Sequence, residues 1–339
     1  MIIRMKVEAT KAEYERITQY LKGKGFQIKD ISTSGVMVFG IVGETETIDS
    51  HDLYAFLGVA EVIQIHTPYK KANRSFKSEE TIVKIGDSLE VGGNDFVVMA
   101  GPCSVESYDQ LKTIATSLKK QGVTLLRAGA FKPRTSPYAF QGLGLEGLMI
   151  LRQVADELGM MIVSEISSTE YIDAFIAHVD LIQVGARNMQ NYDLLKALGK
   201  TNKPILLKRG FSNTIEEWLM SAEYIMDAGN EQIILCERGI RTFEKYTRNT
   251  LDLSAVLAVK ELSHLPVIVD PSHATGRWNM IEKLSLAAFA VGSHGLMVEV
   301  HHDPEHAFSD GAQALRLKKF DHLMDELRRF SILLDKPIR

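Results

Sequence analysis

Cysteine is scarce, with only Cys103 and Cys236 among 339 residues. That excludes a disulfide-stapled scaffold and leaves any sulfur chemistry to single thiols. No apolar run is long enough to span a bilayer, and the opening Met1-Ile-Ile-Arg-Met-Lys-Val-Glu8 lacks a signal-peptide core. A cytoplasmic protein with no membrane partner is the expectation. Basic excess is also missing. The 39 Lys and Arg are outnumbered by 43 Asp and Glu, for a net charge of −4, which argues against a nucleic-acid partner. What is present is ordinary globular composition, 45% hydrophobic and 24% charged, enough for one large domain and a small one.

Two rhythms divide the chain. Over residues 1–70 the order is strand (2–7), helix, strand (26–32), strand (36–42), helix (49–57), strand (59–66). The first helix opens on the capping-box pattern Thr10-Lys-Ala-Glu13 and carries Tyr14, Ile17 and Leu21 at helical spacing. This order predicts a ferredoxin-like α+β unit. Residues 71–95 read as a linker followed by a small hairpin (82–85 with 89–91). From residue 96 to 339, eight short runs rich in Val, Ile and Leu alternate with helical segments: 96–100, 124–126, 161–163, 181–184, 204–207, 232–235, 266–269 and 295–298. They lack clean alternation, as strands buried on both faces do. Eight strand-helix units in roughly 240 residues predict a (β/α)8 TIM barrel, with a doubly wound sheet as the competing α/β fold. Asn213 or Thr214 can cap the helix over 213–228, whose stripe is Ile215, Leu219, Ala222 and Ile225.

In such a barrel the chemistry lies at the carboxyl ends of the strands. Every run here is followed by polar or charged residues. Arg127, Lys132, Arg134, Arg187, Lys208 and Arg238 are cations directed at one cup. Together they call for a small guest bearing several negative charges, because Arg forks and Lys ammonium groups bind phosphate and carboxylate. Each cation taken singly also fits a salt bridge to a barrel carboxylate such as Glu165 or Glu237. Cys103, His273, Glu299 and Asp310 form a second set, whose mixed thiolate, imidazole and carboxylate chemistry suits a divalent transition metal. No ligand spacing marks them. Alone, Cys103 reads as a small buried hydrophobe rather than a ligand, and His273 reads equally as a hydrogen-bonded structural residue.

Two patterns are set aside. Gly142-Leu-Gly-Leu-Glu-Gly147 spells GxGxxG, with Glu165 at a ribose-contact distance, but it follows a polar loop rather than a strand. Lys71-Ala-Asn-Arg-Ser75 is a second strand-end-like basic motif, but it stands before the first barrel strand.

The segments Ala100-Gly-Pro-Cys-Ser-Val-Glu106, Lys132-Pro-Arg-Thr-Ser136, Gly185-Ala-Arg-Asn188, Leu207-Lys-Arg-Gly210, Cys236-Glu-Arg-Gly239 and Val269-Asp-Pro-Ser-His273 resemble the 3-deoxy-D-arabino-heptulosonate-7-phosphate (DAHP) synthase family. The match is to its type I beta class with an N-terminal ferredoxin-like domain. The resemblance implies condensation of phosphoenolpyruvate with erythrose 4-phosphate and release of phosphate, the first step of the shikimate pathway to aromatic amino acids. It implies Cys103, His273, Glu299 and Asp310 as ligands of Mn²⁺, Fe²⁺, Co²⁺ or Zn²⁺. It makes Arg127, Lys132, Arg187, Lys208 and Arg238 the holders of phosphoenolpyruvate, and Arg134 and Thr135 those of the sugar phosphate. Lys132 would be catalytic with Cys103 and His273, as a proton donor or an electrostatic partner. The alternative is the sister enzyme, 3-deoxy-manno-octulosonate-8-phosphate synthase. Its loop resembles Lys71–Ser75, whereas Lys132-Pro-Arg-Thr135 fits the shorter sugar.

Residues 1–70 hold none of these groups, so the resemblance implies a feedback role for them, with tyrosine or phenylalanine as effector. The site would lie near Asp30–Gly35, using Ser32, Thr33 and Ser34, in a homotetramer. A purely oligomerising or solubilising domain is the competing reading.

Overall fold

The computed structural model describes residues 1–32, 35–43, 45, 48–64, 67–86, 88–132, 136 and 138–339. They form two compact units, Met1–Glu79 and Glu80–Arg339. The division falls inside the segment read as linker.

The first unit contains β1 (Ile2–Met5), α1 (Lys11–Gly23), β2 (Gln27–Asp30), β3 (Val38–Val42), α2 (Ser50–Tyr54) and β4 (Val59–Ile63). Its antiparallel sheet has the order β2-β3-β1-β4, the ferredoxin-like arrangement expected from the element order. Thr10 and Glu13 cap α1 reciprocally: Thr10 N–H donates to Glu13 at 2.7 Å and Glu13 N–H to Thr10 Oγ1 at 3.3 Å. Ile3 and Met5, one face of β1, join Phe39, Ile41, Ile17 and Leu21 in the core, as period 2 and helical spacing require. A Cβ on Gly40 would stand 2.4 Å from the ring of Phe76, so the chain beyond residue 70 still packs on this sheet. Within Lys71–Ser75, Asn73 accepts from Ser75 N–H at 2.8 Å, making the stretch a local turn of the small unit.

The second unit opens with the hairpin β5 (Val83–Ile85) and β6 (Leu89–Val91). The barrel follows as β7 (Val97–Gly101), α3 (Tyr108–Lys120), β8 (Leu125–Arg127), α4 (Leu145–Leu158), β9 (Met161–Ile166), α5 (Ile172–His178), β10 (Leu181–Val184), α6 (Tyr192–Gly199), β11 (Ile205–Lys208), α7 (Ile215–Asp227), β12 (Ile233–Glu237), α8 (Ser254–Leu262), β13 (Val267–Val269), α9 (Pro271–Thr275), α10 (Trp278–Ala290), β14 (Gly295–Glu299) and α11 (Leu317–Leu334). The eight parallel strands β7–β14 close on themselves, with Glu299 opposite Gly101 at the seam. Val83, Ile85, Leu89 and Val91 bury in one cluster with barrel residues such as Val97, Leu125, Leu181 and Ile268. The hairpin thus plugs the amino-terminal end of the barrel and leaves the opposite end for chemistry. Thr214, not Asn213, caps α7, in a second capping box with Glu217. Gly144 precedes α4, far along the chain from the end of β8 at Arg127, so the GxGxxG stretch lacks the strand-turn-helix setting of a dinucleotide site. Among the described residues no helix is long and apolar enough to cross a membrane.

Candidate active site

Strand ends deliver the side chains. β7 ends at Gly101, whose φ is +153°; a Cβ there would stand 2.1 Å from Arg127 O. Only glycine permits that approach, which brings the segment carrying Cys103 against the end of β8. Cys103 is buried, and its thiol lies 3.3 Å from Asp310 Oδ2. Asp310 stands after β14 with φ +50°, a conformation Asp tolerates better than most residues. The loop is latched by Ser104 Oγ and Ser309 Oγ at 2.6 Å, and by Phe308 N–H donating to Glu106 at 2.9 Å.

His273 and Asp270 come from the end of β13. Asp270 caps α9, accepting from His273 N–H at 2.9 Å. Its Oδ2 faces His273 Nδ1 at 2.7 Å and accepts from Lys208 Nζ. Burial would raise the Asp270 pKa, but His273 and Lys208 hold it well below the ordinary range. Burial lowers the His273 pKa, outweighing the pull of Asp270, and so favours the neutral imidazole. With the ring proton on Nδ1 facing Asp270, Nε2 presents its lone pair to Glu299 Oε1, 3.2 Å away. Two acceptors then face each other, an arrangement that a bound cation resolves. Glu299 is fully buried at the end of β14. It is held by Arg127 Nη1 at 2.8 Å and by Gln313 Nε2 at 2.7 Å. Burial would raise Glu299, but His273 and Arg127 bring it below the usual carboxylate value. Asp310 is also lowered, with His273 and Arg248 overcoming burial. Ligand atoms of Cys103, Glu299 and Asp310 lie within 4.8 Å of one another. Burial, reinforced by Glu299, pushes the Cys103 thiol up to about 11, so thiolate ligation needs a cation to displace its proton. Sulfur, nitrogen and oxygen donors of this kind fit a divalent transition metal.

His273 and Asp310 also line a cavity of about 260 Å³. Lys132, Arg187, Lys208, Arg238 and Arg248 line it too, against Glu165 as the one further carboxylate among the described residues. Lys132 is nearly buried, and its Nζ donates to Cys103 O at 3.1 Å. Burial alone would lower it, but Cys103 and Glu165 outweigh that and favour the ammonium. Arg238 is buried, donates to His273 O at 3.1 Å and stacks on Phe211 at 4.8 Å. Burial lowers its pKa from the usual arginine value. Arg187 is exposed and reaches the same ring at 5.4 Å. Arg127 instead engages Glu299 and donates to Pro102 O at 2.8 Å. Arg134 and Thr135 lie outside the described residues.

Family comparisons give this geometry its context. Residues 76–334 match the family described as DAHP synthetase I, and residues 1–67 match the DAHP synthase ferredoxin-like domain. The chain belongs to the DAHP synthetase I family. It is 45% identical over 331 residues to the phospho-2-dehydro-3-deoxyheptonate aldolase of Thermotoga maritima, covering 98% of each chain. The crystal structure of a DAHP synthase from that organism superposes with a TM-score of 0.80 at 44% identity, over 100% of this chain and 99% of that one. A truncated form of the Thermotoga maritima synthase covers 79% of this chain and 98% of its own, with a TM-score of 0.74 at 48% identity. The activity is that of a DAHP synthase. The sister activity is the more distant relation: the 2-dehydro-3-deoxyphosphooctonate aldolase of Geobacter sulfurreducens is 32% identical over 271 residues, 73% of this chain and 97% of that one.

Three side chains that the structure brings to this site escaped the sequence reading. Asp270 sits inside a quoted motif, and only the shared contact with Lys208 and His273 reveals its part. Arg248 lies in the long segment between β12 and α8, away from any strand end. Gln313 is neutral and carries no sequence signal. Arg209, beside Lys208, turns away to Glu237 and Asp252, at 3.0 and 2.9 Å.

Proposed function

We propose that this DAHP synthase joins phosphoenolpyruvate to erythrose 4-phosphate and releases phosphate, with a divalent ion held by Cys103, His273, Glu299 and Asp310. One observation carries the reading: His273 and Asp310 belong at once to the donor cluster and to the cation-lined cavity. Mn²⁺, Fe²⁺, Co²⁺ and Zn²⁺ all suit the donor set. A bound ion supplies Lewis acidity toward an aldehyde oxygen. Lys132, Arg187, Lys208 and Arg238 bind phosphoenolpyruvate and offset the repulsion between two anionic substrates. Arg127 fixes Glu299 and, through it, the donor cluster. Arg134 and Thr135 hold the sugar phosphate. Lys132 stands beside the cluster and protonates or electrostatically steadies the reacting phosphoenolpyruvate. Asp270 keeps His273 oriented with Nδ1 turned inward. Positioning both substrates on one stiff frame supplies effective molarity.

Full-length protein stripped of metal by exhaustive chelation tests the proposal. Phosphate release from the substrate pair should vanish and return with Mn²⁺ or a similar ion, and arabinose 5-phosphate should replace the sugar poorly. Full activity of stripped Cys103→Ala protein would refute it.

The first unit is proposed to sense tyrosine or phenylalanine in a cytoplasmic homotetramer. Its support is a complete fold devoid of the catalytic groups. Asp30 accepts from Ser32 N–H at 2.9 Å. Burial would raise its pKa, but Ser32 and Tyr14 lower it overall, so it remains anionic for an ammonium group. Ser32 Oγ already closes the strand pair, accepting from Val38 N–H at 2.9 Å. Thr33 and Ser34 lie outside the described residues.

A further inference from the structure

Gln313 is 2% exposed yet spans two sites. Its Nε2 donates to Glu299 Oε2 at 2.7 Å, and its Oε1 accepts from Arg248 Nη1 at 3.0 Å. Chemistry dictates this orientation. A flipped amide would set its carbonyl against the carboxylate and its N–H groups against the guanidinium. Arg248 lines the anion cavity, and its Nη1 stands 3.6 Å from Asp310 Oδ1. One guanidinium therefore meets the cavity, Asp310 directly, and Glu299 through a single buried amide.

We infer that Arg248 contacts the anionic substrate and that Gln313 is a positioning residue coupling this contact to the metal-donor cluster. The inference rests on the function proposed above. Without a cation in the cluster, Arg248 is a counter-charge to Asp310. A bound cation takes over that part. Gln313 then keeps the guanidinium at the cavity wall, where its uncompensated charge attracts an anion. Cation and anion each strengthen binding of the other, because coupling between two sites is reciprocal. Arg248 also repels the cation when no anion is present. Its removal should therefore leave cation affinity intact or improved while erasing the coupling. If Arg248 only braced the cluster, its loss would instead weaken cation binding.

The test is equilibrium dialysis of full-length, metal-stripped protein against Mn²⁺, with and without phosphoenolpyruvate. In the wild type, phosphoenolpyruvate should tighten Mn²⁺ binding about fivefold or more. Arg248→Met should bind Mn²⁺ alone at least as well as wild type, with the phosphoenolpyruvate effect reduced below about twofold. Gln313→Met should weaken Mn²⁺ binding about tenfold, as loss of an outer partner of a ligand does, and also lose the coupling. If Gln313→Met does not fold, Arg248→Met, altered at an exposed side chain, decides alone. A wild-type-sized phosphoenolpyruvate effect in Arg248→Met overturns the inference, as does weaker Mn²⁺ binding by that variant or no such effect in wild type. A wild type that binds no Mn²⁺ or makes no DAHP overturns the proposed function as well.

Discussion

His273 Nδ1 and Asp270 Oδ2 are 2.7 Å apart, and the same carboxylate oxygen accepts from Lys208. One buried acid thus orients an imidazole of the donor cluster and neutralises a cation of the anion cavity. Second partners of this kind fix the tautomer of a metal-binding histidine.

Asp270→Asn should therefore harm both functions. Lys208 and Asp270 are almost fully buried, and breaking a buried pair costs about 3–5 kcal/mol. Urea unfolding should register that loss. Mn²⁺ affinity of the folded variant should fall about 10–100-fold. Unaltered metal affinity would show that Asp270 does not orient His273 for binding.

Arg134→Ala should discriminate between the substrates. A charge-assisted hydrogen bond contributes about 1.5–3 kcal/mol. The apparent Michaelis constant for erythrose 4-phosphate should rise accordingly, with that for phosphoenolpyruvate nearly unchanged. Steady-state kinetics with each substrate varied in turn checks this; equal effects on both reject the sugar-phosphate assignment.

A chain starting at Ser78 should fold and catalyse while losing feedback. The start precedes Thr81, whose hydroxyl pairs with His264 at 2.8 Å within the barrel unit, and the unit boundary lies after Glu79. Full-length protein should be inhibited by millimolar tyrosine or phenylalanine. Identical responses of the two forms, or none from the longer one, would assign the small unit another role.

Lys336 gives a pH prediction remote from the site. Burial, aided by Lys260, lowers its pKa from 10.5 to about 8. Between those values the unfolded chain binds more protons than the folded one. Stability from this group therefore rises with pH across that window and is lost as pH falls through about 8. Lys336→Met should be more stable than wild type at pH near 7 and flatten the rise. Urea midpoints measured across the window decide it, and parallel curves for both proteins would contradict the assignment.

The barrel was legible because strands covered on both faces must be apolar throughout. Runs such as Val97–Gly101 and Val267–Val269 therefore stand out from amphipathic helices. The strand-end rule then led to Cys103, Lys208, Arg238, His273 and Glu299 without a contact map. The small unit was legible through its Thr10–Glu13 cap and element order, although β2 and β3 are shorter than the strands expected over 26–32 and 36–42. Periodicity carries local information only. It cannot tell that Lys208 turns inward to Asp270 while its neighbour Arg209 turns to Glu237 and Asp252. Nor can it place Arg248 and Gln313, which meet across a sequence separation of 65 residues. Closure of the barrel decided those contacts, because it brings distant loops to one rim, where distance and charge rather than spacing along the chain select partners.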